Sequence, residues 1–167
     1  LLYCQSSKSL AKCADASADF AITDPPYSDN VNYSELADFY YVWQRLGLKD
    51  AYKHYAPETA PKTDEVIKNP TRGKGDKEFA DDLTAVFAEA NRVLRPGGVL
   101  AFTFHHADGS AWESLLQSIC NAGFEIEAIY PIQSEGESSL HLMDKQAISY
   151  DLIHVCRKRG NEEVGSV

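Results

Sequence analysis

Residues 23 to 27 read Thr-Asp-Pro-Pro-Tyr directly after the apolar run Phe20-Ala21-Ile22. A carboxylate, two prolines and an aromatic ring thus stand where a buried strand would end, and in an open α/β sheet ligands bind at the carboxyl ends of strands. Ionised Asp24 can only accept hydrogen bonds, and the carbonyl of Pro25 is a second acceptor beside it. An amino nitrogen on an aromatic ring is a poor nucleophile, because its lone pair is delocalised. Two acceptors aimed at its two hydrogens would draw it towards tetrahedral geometry, which is electrostatic preorganisation with the roles of an oxyanion hole reversed. The chemistry this suits is methyl transfer to the exocyclic amino group of a nucleobase. Pro25 and Pro26 fix φ and remove competing donors. Tyr27 offers a ring face for stacking, worth roughly 1–3 kcal/mol per base, and a base inside a duplex would reach it only by leaving the stack. The plainer alternative is a strand that simply ends at prolines.

Several elements must position that loop. Leu1 to Gln5 reads as a short strand and Phe20 to Thr23 as the strand before the loop. Glu35 to Leu46 carries apolar and aromatic positions at helical spacing, with Ser34 as N-cap and Gly47 as terminator. Tyr40, Tyr41 and Trp43 are expected to pack in the core. Residues 49 to 76 carry Pro57, Pro61, Pro70, Gly73 and Gly75, which predicts a long irregular excursion. Lys77 to Leu94 is the longest amphipathic helix, stopped by a turn at Pro96-Gly97-Gly98. Val99 to Phe104 is a continuous apolar run, the mark of a strand buried on both faces. Ser110 would cap a helix from Ala111 to Asn121, closed by Gly123. Phe124 to Ile132 and Ile148 to Cys156 read as two further strands, with a polar connection over 135 to 146.

Composition sets limits. A chain of 167 residues with 44% hydrophobic content suits one domain with a real core, and no stretch approaches the roughly 20 apolar residues of a membrane span. Cys4, Cys13, Cys120 and Cys156 lie too far apart for a paired zinc knuckle and read as reduced, mostly buried thiols of a cytoplasmic protein; no metal site is expected. The net charge of −9 counts against simple nucleic-acid binding. Local cation clusters exist at Lys62, Lys68, Arg72, Lys74 and Lys77, interleaved with acids, and at Arg157, Lys158 and Arg159. A solvated loop and a soluble terminus are the readings preferred for them over phosphate contacts.

Thr23-Asp24-Pro25-Pro26-Tyr27 resembles the Asp-Pro-Pro-Tyr motif of the S-adenosylmethionine-dependent amino methyltransferases, which act on adenine or cytosine in DNA. The likeness extends to Ala16 to Ile22 before the motif and to Arg92 to Leu100 after it. Tyr27-Ser28-Asp29-Asn30-Val31-Asn32-Tyr33, Asp38 to Trp43, Trp112, Ala122-Gly123-Phe124 and Val155-Cys156-Arg157 are similar, more particularly, to the large adenine-specific DNA methylases containing a Zn-ribbon. What the resemblance implies is an α/β fold, a partial class I methyltransferase (Rossmann-like) sheet with helices on both faces and a last antiparallel strand pair, over residues 1 to 160. Residues 161 to 167 would be a flexible tail. No glycine-rich turn precedes Asp24, so the strands that form most of the cofactor pocket are expected to be missing and the chain to be a fragment.

By the same resemblance the catalytic residues are Asp24, Pro25, Pro26 and Tyr27, and the S-adenosylmethionine contacts are Gln5, Ser6, Thr23 and Asp24. The implied activity is DNA adenine methylation of the kind used in restriction-modification, with DNA as the partner of the full-length protein. Asn30 and Tyr33 would grip the flipped base or simply begin a helix. His105, with His106, would line the pocket or be structural. Cytosine, RNA or a protein amide are alternative targets, and a folded non-catalytic remnant or assembly module is the alternative role. An uncovered edge at the strand ending at Thr23 would pair with another chain, which predicts a homodimer or a complex.

Overall fold

The computed structural model describes residues 5 to 133 and 150 to 160. The expected strand at Leu1 to Gln5, the connection at 135 to 146 and the tail at 161 to 167 therefore lie wholly or largely outside the described residues. Gln5 itself sits in a bend.

The chain is α/β. Its elements run β1 (Ala18–Thr23), α1 (Tyr33–Leu48), α2 (Asp76–Val93), β2 (Leu94–Phe104), α3 (Gly109–Asn121), β3 (Phe124–Gln133) and β4 (Tyr150–Lys158), with short 3₁₀ turns at Lys53–Tyr55 and Pro70–Arg72. The four strands form one sheet in the order β1-β2-β4-β3. β1 lies parallel to β2, while β4 runs antiparallel to both its neighbours. The last two strands are thus the antiparallel pair expected, and β1 is an outer strand of the described sheet.

One face of the sheet makes the core. Phe79, Leu83 and Phe87 recur every four residues along α2 and meet Leu100, Phe102 and Phe104 of β2, with Leu115 and Ile119 of α3, Phe124 and Cys156 completing a single buried cluster. Each such side chain contributes about 1.5–3 kcal/mol through burial. His154 belongs to this layer, its ring stacked on Phe102 at 4.8 Å and nearly parallel. Burial holds its imidazole below the usual range and pushes the Cys156 thiol up to about 12. Of the other described cysteines, Cys13 is half-buried and Cys120 exposed, so mostly buried thiols is not what the fold delivers.

The expectation of helices on both faces is met on one face only among the described residues. Side chains alternate along a strand, and the residues that point away from α2 and α3 are left open: Phe20 is 66% and Ile22 81% exposed. Val99 and Ala101, their register partners on β2, are half-buried.

The turn at Pro96-Gly97-Gly98 survives inside a longer strand. Between Ala18 and Phe20 the partner on β2 jumps from Leu94 to Val99, so the intervening residues bulge out of the ladder. Gly97 has φ +75°, and a Cβ on Gly98 would lie 2.9 Å from the carbonyl oxygen of Arg95. Only glycine fits there.

Helix α1 differs most from its sequence reading. It extends from Tyr33 to Leu48, so Gly47 lies within it, and its N-cap is Asn32, not Ser34. Ser34 is buried because both its N–H (2.8 Å) and its hydroxyl (2.5 Å) donate to Glu65, a carboxylate that the excursion brings to the helix's first turn. Tyr40 and Trp43 were expected in the core and are instead exposed, together with Leu36, Phe39 and Leu46. The physical reason is the side by which α1 is held. Tyr41, which is buried, donates to the carbonyls of His54 (3.1 Å) and Pro57 (3.0 Å), and Arg45 donates to Pro57 (2.7 Å), so the excursion takes this face and the apolar stripe points outward. Helix α3 starts slightly earlier than expected, with Asp108 as its cap, accepting from the N–H of Ser110 at 3.0 Å.

Candidate active site at the carboxyl end of β1

Asp24 follows β1 directly and is exposed, whereas Pro25 behind it is buried. Since Ile22 points to the open face, Asp24 two residues on does so as well. There it meets Thr103, the residue on β2 just past Phe102, which pairs with Thr23. The Thr103 hydroxyl donates to Oδ1 of Asp24. The Tyr27 hydroxyl donates to the same oxygen at 2.8 Å. Among the described residues nothing donates to Oδ2, and nothing donates to the Pro25 carbonyl.

The Tyr27 ring is half-buried, edge-on to Phe104 at 5.4 Å and tilted to His105 at 6.4 Å. Burial first, then the hydrogen bond and negative charge of Asp24, raise its phenol well above the ordinary tyrosine value. It therefore remains a donor at any physiological pH.

His105 stands at the end of β2, where its Nδ1 lies 3.0 Å from the carbonyl oxygen of Tyr150 and 3.5 Å from Asp151. A carbonyl only accepts, so Nδ1 carries a proton. His106 is buried and structural. Its Nδ1 accepts from the N–H of Asp108 (3.0 Å), so Nε2 donates to Asp29 at 3.0 Å. The pair ties the loop after the motif to the start of α3.

The structure thus brings Asp24, Tyr27 and His105 together from two stretches of chain, the loop after β1 and the end of β2. It does not gather the remaining expected residues around them. Asn30 is exposed, its N–H donating to the Tyr27 carbonyl at 3.1 Å, and Tyr33 is an exposed first residue of α1. Gln5 and Ser6 are exposed in a local turn, where the Ser6 hydroxyl accepts from Lys8 N–H at 3.3 Å. Lys8 then pairs with Asp82 on α2 and Leu10 N–H donates to Glu89 at 2.8 Å, so this segment runs along α2. No described hydrogen bond or ring contact joins the side chains of Gln5, Ser6, Asn30 or Tyr33 to Asp24. The residues present fit an amine acceptor. Of the expected contacts to the methyl donor, Thr23 and Asp24 stand at the site among the described residues.

Beyond the motif, Ser28 adopts a left-handed φ of +54° that non-glycine residues rarely hold. Past it opens a cleft of about 360 Å³ lined by Asp29, Asn32, Glu35, Lys68, Asn69, Pro70 and Thr71. Every cation of the excursion cluster is paired with an acid: Lys62 with Asp38 (2.5 Å), Lys68 with Asp76 (2.7 Å), Arg72 with Glu65 (2.8 Å) and Glu35 (2.5 Å), Lys74 with Asp82 (3.1 Å), Lys77 with Asp81 (2.6 Å). This counts against phosphate contact, and the preferred reading of a solvated loop becomes one of a loop cross-braced by ion pairs. In the second cluster Arg157 pairs with Glu127 at 2.8 Å and Arg159 donates to the Phe124 carbonyl at 3.2 Å.

Sequence reasoning missed Thr103. The available signal was a lone hydroxyl in an otherwise apolar run, at a position whose alternation puts it on the face opposite Phe102 and Phe104.

No protein family's sequence profile matches the chain, and no curated protein sequence does. Solved structures do. TTHA0409 from Thermus thermophilus, provisionally named a DNA modification methylase, superposes with a TM-score of 0.53 at 16% identity, covering 97% of this chain and 55% of its own. The same protein complexed with S-adenosyl-L-methionine gives a TM-score of 0.51 at 15% identity, with 96% and 54% covered. The chain therefore shares the fold of these methylase structures and spans about half of their length.

Proposed function

We propose that this chain carries the amine-accepting half of an S-adenosylmethionine-dependent methyltransferase acting on the exocyclic amino group of adenine in DNA. The observation that carries the reading is Asp24: an exposed carboxylate at the carboxyl end of β1, one oxygen held by two hydroxyl donors and the other, like the neighbouring carbonyl of Pro25, without a donor among the described residues. The methyl donor, when bound, supplies an electrophilic carbon. Asp24 and Pro25 accept the two amino hydrogens and orient the nitrogen lone pair towards it. Direct transfer requires no strong base, since the methylated ammonium can lose its proton to water. The methylase neighbours of this fold, one of them with the methyl donor bound, support the reaction class. Asn30 and Tyr33 remain proposed base contacts at the start of α1, and Gln5 and Ser6 proposed cofactor contacts.

The test is tritiated-methyl transfer to adenine-containing DNA by the full-length polypeptide. Asp24→Ala is expected to lower transfer by about 10²–10³-fold, the scale on which a single preorganised group acts. Equal activity of variant and parent removes the assignment.

A second reading, a folded assembly module that does not hold the methyl donor alone, is favoured by a specific observation: the open sheet face at Phe20 and Ile22 and the outward stripe of α1. We propose that a homodimer or a complex covers the β1 edge. Isothermal titration of the isolated chain with S-adenosylmethionine separates the readings, measurable binding favouring the enzyme and its absence the module.

A further inference from the structure

We infer that Thr103 is a positioning residue of this site: with Tyr27 it locks the rotation of the Asp24 carboxylate, so that Oδ2 alone is presented to the amine. The inference takes its chemical meaning from the amino-methyltransferase reading, but the clamp is geometric and stands on its own.

The carboxylate of an aspartate on a solvent-exposed loop is free to change its χ1 rotamer and to rotate about χ2, and its two oxygens are then equivalent acceptors. Here they are not equivalent. Both described donors to Asp24, the hydroxyls of Thr103 and Tyr27, go to Oδ1, and they belong to different elements: one to β2 in the middle of the sheet, the other to the loop three residues along. Each donor is itself held. Thr103 sits between Phe102 and Phe104, both fully buried, in a strand paired on both sides, by β1 up to Phe102 and by β4 through Ile153. The β-branched side chain of threonine has few rotamers. Tyr27 is braced against Phe104. Two rigid donors on one oxygen fix the plane of the carboxylate before any ligand arrives. An acceptor that need not reorganise during reaction is what lowers a barrier, and displacement by as little as about 1 Å costs on the order of 10²-fold.

The Thr103 hydroxyl stands on the open side of β2, where the Tyr27 hydroxyl of the same cluster is also within its hydrogen-bonding reach. It points to the face where its neighbours Ala101 and Val99 are half-buried apolar residues. A residue chosen for packing alone there would be valine, which has the same shape without the donor.

Thr103→Val and Thr103→Ser test this in the full chain. In ¹³C-labelled protein, three-bond couplings of the Asp24 β-protons, which report χ1, are expected to show the side chain held in one rotamer on its two donors in the wild type and in Thr103→Ser, and rotamer averaging in Thr103→Val. Amide resonances of Phe102 and Phe104 report in the same sample that β2 is intact; a variant that fails this control is replaced by Thr103→Ala. In the full-length polypeptide, Thr103→Val is expected to lower kcat for methyl transfer by about 10–100-fold with little change in KM for DNA, and serine to restore it. A single Asp24 rotamer in both Thr103→Val and Thr103→Ala overturns the clamp, whether or not the protein methylates DNA. Methyl transfer by Thr103→Val at the parent rate overturns its role in the reaction while leaving the proposed reaction standing. No transfer by the wild type to any DNA sinks the proposed reaction, and the couplings still decide the clamp.

Discussion

The two faces of this sheet are built to opposite rules. On the face under α2 and α3, Leu100, Phe102 and Phe104 are sealed against Phe79, Leu83, Phe87, Leu115 and Ile119. On the other, Phe20, Ile22, Val99 and Ala101 form an apolar but open surface that ends in Thr103 and Asp24. The same strands serve both, because successive side chains alternate. The difference teaches a division of labour: most of the stability resides on one side of β1 and β2, Asp24 and Thr103 stand on the other, and Tyr27 joins the two by packing against Phe104 while donating to Asp24.

That division is most sharply tested by deleting one ring from the sealed face. Phe87→Ala is expected to cost about 3–5 kcal/mol of unfolding free energy, the range for a large aromatic removed from a packed core, measured by denaturant titration. A loss below about 1 kcal/mol would mean that the helix-covered layer is not the core. The next largest effect belongs to the open face. Asp24→Ala should leave the denaturation midpoint nearly unchanged while abolishing most methyl transfer. Tyr27→Phe combined with Thr103→Val should cost less than the sum of the two separate losses, because both hydroxyls act through one oxygen. Additive losses would show that they act independently.

The two faces also differ in how far the sequence revealed them. The sealed layer was legible in part: the amphipathic pattern of Lys77 to Leu94 pointed to burial, whereas the continuous run at Val99 to Phe104 was read as a strand buried on both faces and is sealed on one only, with Val99, Ala101 and Thr103 half-buried. The place of Asp24 was legible too, because prolines after an apolar run mark the end of a strand. Thr103 was not, since it meets Asp24 across 79 residues of chain and only the parallel register of β1 and β2 brings them together. The outward stripe of α1 was misread for a related reason. Helical spacing shows that Leu36, Phe39, Tyr40 and Trp43 share a face, but which face is buried depends on where the excursion docks, and it docks through the polar groups Ser34, Asp38, Tyr41 and Arg45. Likewise Gly47 looked like a terminator, yet the helix continues one residue past it.

Glu65 links the excursion to the helix that follows the motif loop, and it makes that region sensitive to acid. Burial pushes its carboxyl up, but the Ser34 hydroxyl and N–H and the Arg72 guanidinium more than offset this, so its value lies below that of an ordinary glutamate. A depressed carboxylate stabilises the fold above the unfolded value of 4.5 and loses that contribution as pH falls through the lower folded value. Glu65→Gln is therefore expected to cost about 1–3 kcal/mol at neutral pH and to flatten the stability profile below pH 4.5. An unchanged acid limb would show that the Ser34, Glu65 and Arg72 contacts are not what fastens the excursion to α1.

The smallest expected effect on folding falls at Ile22, and it is the one that sharpens the comparison most. A large apolar residue left 81% exposed contributes little to the fold of the chain alone, so Ile22→Ser should change unfolding free energy by no more than about 0.5 kcal/mol. If a second copy covers this face, the same substitution should weaken association, read as a shift towards monomer in sedimentation equilibrium. A stability loss of several kcal/mol without any change in association would instead place Ile22 inside a core, and the open face would have to be redrawn as a covered one. A neutral substitution with a shifted association constant would leave the two faces as described and give the open one a partner.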